Sequence, residues 1–184
     1  METLDALALA FDHDAVIIAG VDPDRMTAPT PCTEWDVRAL LTHTIGVVAN
    51  IGCGVRGEGL IPDPDHIALD DDPAAQFRSA AAGTLAAWRA AGLDGEVDIG
   101  AGPMPGSVGV KINLVDTTTH IWDIARATGQ PEDLPEQLAV TALATAQSFL
   151  GDDVRQFAGI DPAVSMGADA TPTEAFVAFL GRRP

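Results

Sequence analysis

Tyrosine is absent from the 184 residues, lysine occurs once, at Lys111, and cysteine twice, at Cys32 and Cys53. The two cysteines stand 21 positions apart and neither belongs to a CxxC pair, so neither a zinc ribbon nor a redox dithiol is indicated. Two reduced thiols in a cytoplasmic chain are the simplest account. Basic residues are also scarce: 10 Lys plus Arg face 27 Asp plus Glu, a formal net charge of −17. That balance repels a phosphate backbone and an anionic lipid surface, which sets nucleic-acid binding and peripheral membrane attachment aside. Long apolar runs are missing too. The stretch from Ala15 to Val21 is interrupted by Gly20 and is too short to cross a bilayer, and acids stand where a secretory signal needs bases. Only four histidines are present, at 13, 43, 66 and 120, so the groups able to do proton or metal chemistry can be weighed one by one.

The hydrophobic spacing is helical through most of the chain. Leu4, Leu7, Leu9, Phe11, Val16 and Ile17 predict a first helix over residues 2–19. Thr33 with Asp36 three residues on reads as the capped start of a second, whose inward stripe is Val37, Leu40, Leu41, Val47, Val48 and Ile51. His43 falls in that stripe. Five aspartates between 63 and 72 mark a solvated loop, and Asp72-Pro73 opens a third helix that ends near Gly92. Residues 95–110 hold five glycines and two prolines and suit an irregular or hairpin excursion. No phosphate loop is read there, because Pro103 follows Gly102 and the Walker lysine is lacking. A fourth helix over 110–127, a fifth after Pro135 and a short one over 173–180 complete the reading. The expectation is one all-α domain over 1–184, a four-helix bundle with its core in about 2–150 and a short C-terminal extension over 151–184.

Asp116 and His120 lie one helical turn apart, on a face continued by Ile112 and Ile124. Burying a carboxylate and an imidazole demands partners. A hydrogen-bonded pair is one solution. The other adds the inward His43 to make three ligands for a divalent metal with open positions. His13, between Asp12 and Asp14, reads as a surface residue, and His66 as part of the solvated loop. Cys32 sits just outside a helix N-terminus, where a thiol pKa falls, but the preferred reading is a small apolar staple packing toward Val37. Trp35, Trp88 and Trp122 read as core or pocket wall, with Trp122 bordering His120. Asp123 and Arg126, on the same helix, either support the site or substrate, or pair with each other at the surface.

The segment TPCTEWDVRALLTHTIG, Thr30 to Gly46, resembles the N-terminal signature of the mycothiol-dependent maleylpyruvate isomerase metal-binding domain family, within the DinB-like superfamily. LVDTTTHIWDIARATGQP, Leu114 to Pro131, is similar to its second signature. The ending AFLGRRP resembles that of a short actinobacterial subgroup of metal-binding proteins. The resemblance implies a DinB-like four-helix bundle holding one divalent metal, zinc or nickel, with His43 as first histidine, Asp116 as the acid and His120 as second histidine. The isomerase has Glu where this chain has Asp116, and a second domain where this chain has residues 151–184. The thiol route is likewise implied: a low-molecular-weight thiol such as mycothiol, held as thiolate, attacks a small electrophile, giving a transferase or an isomerase with a homodimer as its expected state. A non-catalytic, stress-associated metal-binding bundle is the alternative. No general base stands out beyond the ligands.

Overall fold

Apolar residues recurring every three or four positions build four long helices, α1 (Thr3–Ala19), α2 (Val37–Arg56), α3 (Pro73–Ala91) and α4 (Gly106–Thr128). The computed structural model describes all 184 residues. α1 and α2 each pack against both α3 and α4, which closes a ring of four helices. Leu7 and Phe11, Leu40 and Ile45, Phe77 and Trp88, and Leu114 and Ile121 fill the centre, all buried. Each such side chain removed from water contributes roughly 1.5–3 kcal/mol. Phe11 meets Phe77 edge to face, centroids 5.8 Å apart. This is the all-α, DinB-like bundle that the sequence leads one to expect. Three further helices follow, α5 (Glu136–Phe149), α6 (Asp152–Ala158) and α7 (Pro172–Phe179), with α5 against α4 and α1 and α7 against α5.

Two excursions leave the bundle on the α2 side. Residues 95–105 form the expected hairpin, β1 (Glu96–Asp98) antiparallel to β2 (Pro103–Pro105), with Val97 opposite Met104. The acidic loop between α2 and α3 folds back on α2 through a 3-10 turn at Pro64–His66. A Cβ at Gly46 would fall on the Pro64 carbonyl oxygen, so glycine is what lets the loop lie against the helix. Buried Asn50 holds both excursions: its carboxamide oxygen accepts from the Ile61 amide at 2.7 Å and its nitrogen donates to the Ile99 carbonyl at 3.2 Å.

Several local expectations are corrected. α2 starts at Val37 and is capped by Asp36, whose carboxylate accepts from the Ala39 amide at 2.9 Å, and not by Thr33. The chain before it is tied into a turn, with the Thr30 hydroxyl donating to the Trp35 carbonyl at 2.8 Å. α4 begins four residues early, at Gly106, because the hairpin runs straight into it and the Gly106 amide donates to the Gly95 carbonyl. Val16 is 68% exposed, whereas Asp14 beside it is fully buried and accepts from the Thr117 hydroxyl at 2.7 Å. Val16, counted in the apolar stripe, thus faces outward, and Asp14, beside the histidine read as a surface residue, faces inward. α6 was hidden by its shortness and by a sequence that opens on two aspartates.

Candidate metal centre

α2 supplies His43 and α4 supplies Asp116 and His120, and their ligating atoms lie within 4.8 Å of one another. The two imidazoles meet edge to face, centroids 5.0 Å apart at 87°. The Trp35 indole lies 4.3 Å from the His43 ring and 5.9 Å from the His120 ring. It packs beside both rings and lines the cavity above them.

Each histidine is backed by a carboxylate. His43 Nδ1 is 2.6 Å from Asp65 Oδ1, in the acidic loop, while His43 Nε2 is buried without any hydrogen-bond partner. His120 Nδ1 lies 3.5 Å from Asp123 Oδ2, and its Nε2 lies 3.4 Å from Asp116. Asp123 is fully buried and receives a two-pronged grip from Arg182, Nε to Oδ1 at 3.1 Å and Nη2 to Oδ2 at 2.7 Å. Arg182 reaches it because the chain turns at Gly181 (φ +84°), where a Cβ would strike Asp161. A carboxylate on Nδ1 fixes the tautomer and leaves Nε2 free, which is how proteins orient histidine toward a metal.

Charges couple accordingly. Burial alone would raise the Asp116 carboxyl, but His120, His43 and Arg182 outweigh it and hold the group below the ordinary carboxylate range. Burial disfavours the His120 imidazolium, yet Asp116 and Asp123 push its pKa up to about 9. Burial raises the Cys32 thiol despite Arg182, so the lowered pKa considered for it does not occur. Cys32 instead forms a second group with His120 and Asp123, again within 4.8 Å.

A cavity of about 500 Å³ opens over the cluster, lined by Trp35, His43, Asp116 and His120 together with apolar side chains of α4, α5 and α6. A larger groove of about 730 Å³ runs between α1 and α3, but no metal-ligating cluster faces it. Of the other expected site residues, Asp123 lies directly behind His120 and pairs with Arg182, not with Arg126. Arg126 is exposed, bonds Glu132 at 2.8 Å and stacks over Trp122 at 5.2 Å. Trp122 is buried away from the cavity wall, and the indole there is Trp35. His66 is exposed and bonded to Asp63 at 2.9 Å, while His13 is half-buried on α1 and lines neither cavity. Asp65 and Arg182 were missed. Asp65 is one of five similar aspartates, and nothing local to Arg182 announces a partner 59 residues away.

Residues 7–125 match the mycothiol maleylpyruvate isomerase N-terminal domain family. Two uncharacterized proteins of Mycobacterium tuberculosis, one from strain CDC 1551 / Oshkosh and one from strain ATCC 25618 / H37Rv, are each 34% identical to the chain over 187 residues. Each alignment covers 99% of this chain and 98% of the relative. No solved structure matches it. The chain belongs to the mycothiol maleylpyruvate isomerase N-terminal domain family.

Proposed function

We propose that this member of the family holds one divalent metal, zinc or nickel, between His43, Asp116 and His120, and serves a low-molecular-weight thiol such as mycothiol in a transferase or isomerase reaction on a small electrophile. The observation that carries the reading is the orphaned, buried Nε2 of His43, turned toward Asp116 and His120 by the carboxylate on its other nitrogen. Two imidazoles and one carboxylate suit zinc or nickel and match the stoichiometry of a catalytic site with an open position. When bound, such an ion supplies a Lewis acid that lowers the pKa of a thiol toward neutrality and leaves it a nucleophile.

The chain's own residues do the rest. Asp65 bonds Nδ1 of His43 and so orients that ring, while Asp123 stands 3.5 Å from Nδ1 of His120. Arg182 holds Asp123 in place behind His120, and Trp35 packs against both imidazole rings. The open face looks into the cavity, which is large enough for a drug-sized molecule. A pocket of that kind beside the cluster favours a reaction over inert metal storage.

Elemental analysis of untagged protein tests the metal. We expect about one zinc or nickel per chain, lost in His43→Ala, and an unchanged metal content in that variant would overturn the assignment. Thiol conjugation across an electrophile panel tests catalysis, and no turnover with any thiol would favour a metal-binding bundle without an enzymatic role.

A further inference from the structure

We infer that the electrophile taken by this cavity is an uncharged, largely apolar molecule and not a carboxylate, an inference that rests on the metal-centred reading above. Ile112 and Val115 of α4, Phe149 of α5, and Val154 and Phe157 of α6 wall the cavity in front of the three ligands. Val154 is 40% exposed and Phe157 85% exposed, which leaves an apolar rim at the mouth. Surface of that kind, next to polar groups that converge on one point, is the mark of a ligand groove, and a ligand with an apolar body is what would cover it.

Charge then decides the class. The titratable groups facing the cavity are Cys32, Glu34, His43, Asp116, His120 and Arg182. Arg182 is the one guanidinium among them, and it is already paired: Nε and Nη2 hold Asp123, and Nη1 donates to the Leu180 carbonyl at 3.4 Å. With both histidines neutral as ligands, Asp116 would offset one charge of a divalent ion, Arg182 is paired with Asp123, and the exposed Glu34 adds a negative charge to the cavity lining. Asp65 adds a negative charge behind His43. A thiolate adds another. A substrate carboxylate would therefore enter a site that is already negative, with no unpaired cationic side chain to receive it, in a chain of net charge −17. A dianion such as maleylpyruvate fits worst, and an uncharged aryl or alkenyl electrophile fits best.

The test titrates zinc-loaded full-length chain, without thiol so that nothing reacts, with methyl 4-chloro-3-nitrobenzoate and with 4-chloro-3-nitrobenzoate. The two probes share a reactive ring and differ by one charge. By calorimetry the ester should bind at least about tenfold tighter, a difference of ~1.4 kcal/mol. Phe157→Ser should weaken the ester severalfold, and Glu34→Gln should narrow the gap by improving the acid. Equal or tighter binding of the acid, including through its carboxylate on the metal, overturns the inference. So does failure of both probes to bind, or an ester affinity that Phe157→Ser does not change. Metal content is read in the same samples. A chain that takes up no metal yet prefers the ester overturns the metal-centred reading and leaves the cavity's preference standing, whereas a metal-loaded chain that prefers the acid does the reverse.

Discussion

His43 gives one ring nitrogen to Asp65, and His120 sits between Asp116 and Asp123, so the carboxylates behind the rings belong to the candidate site together with the three proposed ligands. Asp65→Asn should lower metal affinity about 10–100-fold in competition with a chromophoric chelator. Asp63→Asn, whose partner His66 is exposed, should leave that affinity unchanged. The three central residues were legible because their spacing is local: Asp116 and His120 are one turn apart and His43 sits in an apolar stripe. Asp65 and Arg182 act across 22 and 59 residues, and no periodicity encodes a contact of that kind. Asp14 is a separate case of a carboxylate out of place. Burial raises its pKa well above 3.8, against the Thr117 hydrogen bond, so the folded chain holds a proton that the unfolded chain releases. Between 3.8 and that raised value the native state binds more protons, and stability must fall as pH rises. Chemical denaturation at stepped pH should show this fall, up to about 1.4 kcal/mol per pH unit, in the wild type but not in Asp14→Asn.

The helices of the bundle were legible as elements, and their ends less so. Thr33 and Asp36 form a good capping pair on paper, but Thr33 lies inside the turn tied by Thr30, and the real cap is the second member of the pair. The hairpin was announced by its glycines and prolines, whereas the folding of the acidic loop onto α2 was not, because five aspartates read only as solvated. That loop depends on the absence of a side chain. Gly46→Ala should lift Pro64 off the helix, cost about 1–3 kcal/mol in stability and weaken metal binding in parallel with Asp65→Asn. Helical content by circular dichroism should stay the same, since alanine favours helix more than glycine does. If the affinity holds while stability drops, the loop does not act through His43.

Across the whole molecule, the proposed ligands come from two helices that are neighbours in the ring but far apart in sequence, so a bound ion would cross-link α2 to α4. Such an ion stabilises only the folded chain, by about 2.7 kcal/mol at a free concentration a hundredfold above Kd. For a chain of this size that corresponds to about 5–10 °C in Tm. Stripping with a chelator should lower the melting temperature by that amount, and readdition of zinc or nickel should restore it. No helix is long and apolar enough to cross a membrane, in keeping with the short apolar runs of the sequence. The acidic surplus, legible from the start, bears on the site only through the charges that face the cavity. Asn50 carries a consequence of a different kind. Because one buried carboxamide clamps both the acidic loop and the hairpin, neither can swing away without loosening the other. The two excursions form one cooperative unit, and the amide of Ile61 should exchange with solvent deuterium in step with those of the hairpin and not with those of the helix beneath.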